Sequence, residues 1–340
     1  MAALTPEFVF NLETRMKART SNAYATLNSE TWWNKVCKVE SSDSLKTIAY
    51  WLLSTAQIRD QGTLGGNIHF ADQSSVKFEY ETKYAGEGLR LRRQQLEDLD
   101  GMGIELASAW SRDIGAYMAY WPQKLAAHAL RNGHTAALYT AYDSKAFFAT
   151  DHPVNPNKAS AGTYANLLTA SDAADISTAV TADVALANLG KVFAKLASVK
   201  MPNGEDPRNL RPAFLLVGPT LFPRAVQLTS AKFLAQAASS GGGAADVEAV
   251  IRALGYAQPV MVPELAGFES DTTYFVAAQP VAGDDMAPLI YNEREAFKIN
   301  YYGLLDSDKL GRMDEFEWQA RGRNAMIPGQ PFELFKVKAA

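Results

Sequence analysis

The chain has one cysteine in 340 residues, Cys37, so no disulfide can form within it and a reducing compartment is its natural setting. Beside Trp32 and Trp33 that thiol reads as a small buried hydrophobe rather than a nucleophile. Apolar runs approaching the roughly 20 residues that cross a bilayer are missing. Glu7 and Glu13 stand where a signal peptide would be apolar, so neither export nor membrane anchoring is expected. Charge of one sign is missing too: 33 basic and 37 acidic side chains leave a net charge of -4. That balance argues against an extended surface that grips a polyanion through counterion release.

Catalytic vocabulary is equally thin. There is no GxSxG elbow, no P-loop and no GxGxxG following a strand, and the glycines of Ser239 to Ala244 are not followed by the GKS or GKT that a phosphate cradle requires. Of four histidines, His69, His128, His134 and His152, only the last two come near a metal pattern, with Asp151, and nothing matches HExxH spacing. Asp151-His152-Pro153 reads as a turn in which Asp151 accepts backbone hydrogen bonds and Pro153 fixes the exit. Paired acids such as Glu97-Asp98, Asp284-Asp285 and Asp314-Glu315 read as solvated faces. No catalytic residue, cofactor or metal is assigned, and the chain is not expected to be an enzyme.

What is present is enough apolar material, 47%, to fill sizeable cores, in a length suited to two domains. Phe8, Leu12 and Met16 at spacing four suggest a short helix after Pro6 within an N-terminal arm, ordered by a neighbour or by packing on its own core. Over 57–93 the pattern is that of a long two-stranded excursion: glycines at Gly62, Gly65 and Gly66, then Val76, Phe78 and Tyr80 alternating with charges, then Leu89 and Leu91 alternating with Arg90 and Arg92. Such a stripe needs a partner surface. Arg90, Arg92 and Arg93 form a compact basic cluster suited to nucleic acid or to the acids of a neighbouring subunit.

The clearest helix follows. Ile104, Ala107, Trp110, Ile114, Tyr117, Met118, Trp121, Leu125 and His128 lie on one helical stripe, Pro122 predicts a kink or break, and Asn132-Gly133 ends it. Tyr139 and Phe147 flank a predicted hairpin turn at 142–145, and 151–175 reads as a loop. A second helix is expected from Ile176 to Val199, a buried strand at Phe214 to Val217, a helix from Pro219 toward Ala237, and a short one at Val247 to Leu254. Strands are expected at Val260 to Val262, Thr273 to Val276, Ile290 to Tyr302, Phe316 to Arg321 and Phe332 to Val337.

Read in order, Glu30-Thr-Trp-Trp33, Ala49-Tyr-Trp-Leu52, the polar hairpin, the central helix and the run from Phe147 to Pro156 resemble the major head protein of Mu-like bacteriophages, strongly over the first half of the chain. The resemblance implies an α+β fold of the Hong Kong 97 capsid type. Its parts would be an arm at about 1–45, a peripheral domain at 46–175 with an extended loop at 57–93 and a spine helix at 96–132, an axial α/β domain at 176–285, and a return to the peripheral domain at 286–340. It further implies a subunit that forms pentamers and hexamers and closes an icosahedral head around double-stranded DNA, located in the virion and assembled in the bacterial host cytoplasm. Partners would be other copies of itself, the packaged DNA by weak non-specific contact, and scaffold, protease and portal proteins, with no membrane. Val76, Phe78, Tyr80, Leu89, Arg90, Leu91, Arg92 and Arg93 are the candidate contacts between subunits. Two alternatives are a bacterial nanocompartment shell of the same fold and a soluble α/β hydrolase-like enzyme using Asp151 and His152.

Overall fold

The computed structural model describes residues 6–43, 46–54, 73–98, 102–172, 174–230, 233–234, 245–246, 257–279, 287–302 and 315–338. In chain order the elements are α1 (Pro6–Asn28), β1 (Cys37–Ser41), β2 (Lys46–Ser54), β3 (Gln73–Glu81), β4 (Lys83–Arg92), α2 (Arg93–Asp98), α3 (Met102–Asn132), β5 (His152–Pro153), β6 (Thr163–Tyr164), β7 (Leu167–Leu168), α4 (Ala182–Ala197), β8 (Arg211–Val217), α5 (Phe222–Ser230), β9 (Phe233–Leu234), β10 (Ala245–Asp246), β11 (Gln258–Met261), β12 (Tyr274–Gln279), β13 (Leu289–Tyr302), β14 (Glu315–Pro328) and β15 (Leu334–Val337). The predicted helix at 247–254 and the glycines of 62–66 lie outside the described residues. Among the described residues no helix is long and apolar enough to cross a membrane.

Two sheets organise the chain. The first runs β1-β13-β14-β4, with β1 parallel to β13 and the other pairs antiparallel. The second runs β11-β8-β12-β15-β7. In β8, Leu215 and Val217 join the core under α4 and α5, whereas Leu216 joins the core under the C-terminal half of α3. In β12, Tyr274 and Val276 face the helix pair while Phe275 and Ala277 face α3. This is the period-two alternation of a strand with both faces covered, which is why these segments read as unbroken apolar runs. Complete burial of such side chains contributes about 1.5–3 kcal/mol each, and the five residues Leu215, Leu216, Val217, Phe275 and Val276 are all fully buried.

Helix α3 runs through Pro122 without a break as far as Asn132. The proline removes one backbone donor, but its neighbours Gln123, Ala126 and Ala127 are buried, and tertiary packing holds the turn. The single predicted stripe does not describe this helix. Ala107, Ile114 and Met118 are buried, yet Tyr117 is 63% exposed, while Ala119, Ala126, Ala129 and Leu130 are buried off the stripe. The physical reason is that α3 has three partners: α1 along one side, the first sheet beneath its N-terminal half and the second sheet beneath its C-terminal half. α1 itself is 23 residues long, longer than expected, and its own chain orders it. Leu12 and Met16 are buried in a core with Ala107 and Trp318, and Thr20 Oγ1 donates 2.8 Å to the Ser111 carbonyl. Gly115 permits this approach, since a Cβ there would stand 2.6 Å from the Thr20 carbonyl oxygen.

Three further expectations are revised. β3 pairs with β2, Val76 opposite Trp51, and β4 pairs with β14, so the 57–93 excursion is not one hairpin. Thr82 alone separates β3 from β4, and the chain there passes from a two-stranded ribbon into the first sheet. β15 does not return to the first sheet but inserts between β12 and β7 of the second. The helix after Pro219 ends at Ser230. The loop predicted at 151–175 is short on regular structure, as expected, but it is a buried seam. Asn166, fully buried, accepts from the Ala149 amide at 2.9 Å and donates to the carbonyls of Phe147 at 2.8 Å and Pro331 at 2.9 Å.

Asn166→Ala leaves the Ala149 amide without this acceptor, a loss of about 1–3 kcal/mol, while the Phe147 and Pro331 carbonyls keep their bonds from His152 and from the Leu334 amide. A net loss of about 1–3 kcal/mol in urea unfolding is expected, and a midpoint equal to that of the unsubstituted protein would contradict the seam's role.

Candidate assembly surfaces

The β2–β3 ribbon and the outer strand β4 carry the residues singled out for contact with neighbours. Leu53 of β2 is fully buried in the core under α4, and Val76, half-buried, packs against the same cluster. Tyr80 donates its hydroxyl to the Thr140 carbonyl at 3.0 Å, and burial pushes that phenol above its ordinary value. The base of the ribbon is therefore seated on its own chain. The side chain of Phe78 lies outside the described residues. On β4, Leu91 is buried with Leu12, Met16, Phe316 and Trp318, and Leu89 packs partly against that group. Arg90 and Arg92 point the other way, with side chains 60% and 73% exposed. Arg90 Nε lies 3.3 Å from Glu315 and its Nη2 3.9 Å from Glu317, across the register that sets Arg92 opposite Glu315. Exposed pairs of this kind contribute little stability and remain available to other partners. Arg93 opens α2 and is exposed.

β4 is the outer strand of its sheet, and a groove of about 940 Å³ runs beside it against α3, lined among others by Tyr84, Gly86, Tyr117, Tyr120, Trp121 and Phe297. Tyr84 and Tyr117 are 66% and 63% exposed, and the Arg323 guanidinium sits 3.7 Å from the Tyr84 ring centroid. The groove escaped sequence reading because its walls come from segments more than 200 residues apart. Tyr117, expected on the buried stripe of α3, is exposed here, as is Tyr120, because the helix divides its contacts among three partners.

The region around His152 is structural. Its ring is fully buried, with Nδ1 2.8 Å from Asp143 Oδ2 and Nε2 3.1 Å from the Phe147 carbonyl. Both ring nitrogens are thus engaged within the chain. An imidazole so placed reaches no substrate, which removes the support for a hydrolase site at Asp151 and His152. Asp151 accepts from Lys145 Nζ at 2.6 Å, and that ammonium, with a weaker contribution from the Asp151 backbone amide, holds its carboxyl below the ordinary value. Among the described residues no group of three or more His, Cys, Asp or Glu is arranged to hold a metal ion. Cys37 is half-buried, its thiol pushed up by burial and 3.8 Å from Met326 Sδ, an inert setting.

The sequence model described as Mu-like prophage major head subunit gpT matches residues 9–180, half of the chain. The chain belongs to the Mu-like major head subunit family. Its fold is shared with a chain of the capsid structure of the cyanophage P-SCSP1u, with a TM-score of 0.54 at 13% identity, covering 91% of this chain and 88% of that one. A procapsid chain of bacteriophage JBD30 aligns with a TM-score of 0.48 at 17% identity over 98% of this chain and 76% of its own length. A JBD30 capsid chain aligns with a TM-score of 0.48 at 12% identity over 90% of this chain, which spans 64% of that chain. No curated protein sequence matches. The family match ends just before α4, so α4 and every later element, β13 and β14 of the first sheet included, lie beyond it.

One polar pair in the head subunit was not legible beforehand. Lys336 of β15 is 99% buried, on the face of the second sheet that turns toward α3, and its Nζ lies 2.8 Å from Glu269 Oε1. Thr273 Oγ1 donates 2.6 Å to the other oxygen of Glu269. Burial alone would raise the Glu269 carboxyl, but the bonds from Lys336 and Thr273 outweigh it and hold the group below the usual carboxylate range. Burial also draws the Lys336 ammonium down, against the pull of Glu269. The two shifts disagree on whether charge is favoured, and the geometry decides for the charged pair because Glu269 has a second donor. Glu269, Ser270 and Asp271 all lie at positive φ, 46°, 59° and 58°, a strained run that this pair and the Gly267 amide, bonded to Asp271 at 2.8 Å, hold closed.

The lowered folded-state pKa of Glu269 sets the sign of a pH effect: its contribution is present above the ordinary value of 4.5 and lost as pH falls through the folded value. Stability is expected to decline on acidification below about 4.5. Lys336→Met should lower stability at neutral pH and flatten the acid decline, and a Lys336→Met acid profile parallel to that of the unsubstituted protein would contradict the assignment.

Proposed function

We propose that this chain is the major capsid subunit of a Mu-like tailed phage, forming pentamers and hexamers that close an icosahedral head around double-stranded DNA. The observation that carries the reading is membership of the major head subunit family through residues 9–180, on a chain of which 91% aligns with a phage-capsid fold. In this reading α1 and the residues before β2 form the N-terminal arm, α3 is the spine, the first sheet is peripheral and the second sheet with α4 and α5 is axial. The protein acts by repetition rather than by chemistry. Identical copies make modest contacts that reinforce one another through effective concentration within the closed lattice, and resistance of the filled head to opening is kinetic.

The β2–β3 ribbon with the intervening residues is the extended loop that lies over the adjacent subunit. Phe78, the exposed arginines Arg90, Arg92 and Arg93, and the tyrosine groove beside β4 are the surfaces that copies cover, whereas Leu91 is spent within its own core. Exposed aromatic and arginine side chains are the residue types enriched where protein surfaces meet. DNA contact is weak and non-specific, in keeping with a net charge of -4. Scaffold, protease and portal proteins are partners in head assembly, which takes place in the host cytoplasm and ends in the virion.

A cut that tests the loop must spare β4, which belongs to the first sheet. Replacing 56–71 by a short turn is expected to leave a folded monomer with unchanged circular dichroism and to abolish closed shells in electron micrographs. Shells of normal yield from that variant would overturn the loop's role.

A further inference from the structure

Two sheets meet at α3, and what joins them is mainly apolar. Ala126, Ala127, Ala129 and Leu130 of the helix share a core with Val260 of the second sheet, with Val262 and Leu265 of the turn that leaves it, and with Leu289 and Tyr291 of the first sheet. An apolar junction holds two bodies together without fixing their angle, because burial is non-directional and small side chains such as alanine offer few interlocking knobs. Directional bonds are needed to set the angle, and at the rim of this junction they converge on one residue.

Glu264 lies in the 3-10 turn Pro263–Leu265 that leaves β11. Its Oε1 accepts from Gln123 Nε2 of α3 at 2.6 Å, its Oε2 accepts from the Trp32 indole Nε1 at 3.2 Å, and its backbone carbonyl accepts from Arg131 Nη1 at 3.2 Å. Arg131 also stands 5.2 Å over the ring of Phe268, one turn further along the same loop. Three donors from two sequence regions, 32 and 123–131, thus converge on one residue of the second sheet. The turn itself is anchored to that sheet, with the Val262 amide bonded to the Val217 carbonyl at 2.8 Å. Bonds to an ionised acceptor are shorter and stronger than neutral ones, and a carboxylate with both oxygens engaged cannot rotate freely.

We infer that Glu264 is the positioning residue that locks the second sheet to α3 at one angle and so sets the curvature at which copies assemble. The inference rests on the capsid reading for its consequence, but the lock itself is a property of the single chain. Curvature follows because a closed shell repeats every subunit angle around each ring, so a small internal change accumulates into a different closure or none. The Gln123 and Trp32 donors have Glu264 as their acceptor, and without it the apolar junction is free to slide.

The test compares the full-length protein with Glu264→Ala and Glu264→Gln, the second of which keeps the volume but turns an N–H toward a donor. On unassembled protein, hydrogen exchange at the Val262 and Leu265 amides is expected to quicken by about tenfold, the equivalent of one lost bond to a charged group, with the circular dichroism unchanged. In assembled samples the uniform diameter of the shells is expected to give way to mixed sizes, tubes or open sheets. Unchanged exchange would overturn the lock, and variant shells of the original diameter would overturn its link to curvature. Should Glu264→Ala fail to fold, Trp32→Phe, which deletes one donor and keeps the carboxylate, is judged by the same two readouts. Unsubstituted protein that forms no shells would overturn the capsid reading and leave exchange to decide the lock.

Discussion

The burial of α3 on three sides is the constraint from which the rest of the structure follows. A helix of 31 residues presents its N-terminal half to the first sheet, its C-terminal half to the second and one flank to α1. Each contact depends on a different residue type. Ile114 and Met118 supply bulk where the first sheet lies, alanines allow the second sheet close, and Gly115 with Ser111 admits the α1 backbone. A chain that satisfied only one of these faces would leave either a sheet or α1 without a partner, and neither sheet covers itself.

Polar groups then remove the freedom that apolar packing leaves. Asn166 ties the seam at 147–168 to the segment entering β15, His152 bridges Asp143 and Phe147, Lys336 pairs with Glu269 under the second sheet, and Glu264 gathers donors at the junction. These sites lie in the interior or at its rim, where unpaired polar groups are costly and a satisfied set therefore selects one arrangement. The outward surface carries a different inventory, with exposed arginines on β4 and exposed tyrosines beside it, which add little to the stability of one copy.

The apolar periodicity of the sequence made much of this fold legible. Phe214 to Val217, Thr273 to Val276 and Ile290 to Tyr302 read as strands and pair as strands apart from Thr273, and the long helix expected over 96–132 runs from Met102 to Asn132, ending where Asn132-Gly133 signalled. The family resemblance through Trp32-Trp33 and the run from Phe147 to Pro156 pointed to the head protein, and the match over 9–180 agrees. What stayed hidden was pairing. Alternation at 76–80 and 89–92 is the same whether the strands pair with each other or with partners 30 or 230 residues away, and the actual partners are β2 and β14. β15 was misplaced for the same reason, since Phe335 and Val337 mark an apolar face without naming the sheet that receives it. The buried Lys336 breaks that alternation, and the charge partner that explains it lies in a loop whose left-handed backbone no residue type announces.

The central claim is that this single chain is a shell-forming subunit. Negative-stain electron microscopy of the full-length protein, alone and co-expressed with the proposed scaffold, protease and portal proteins, tests it most directly. Closed particles of uniform diameter, or rings and tubes built of pentamer- and hexamer-sized units, are the predicted result. Monodisperse monomers or dimers in both preparations would contradict it.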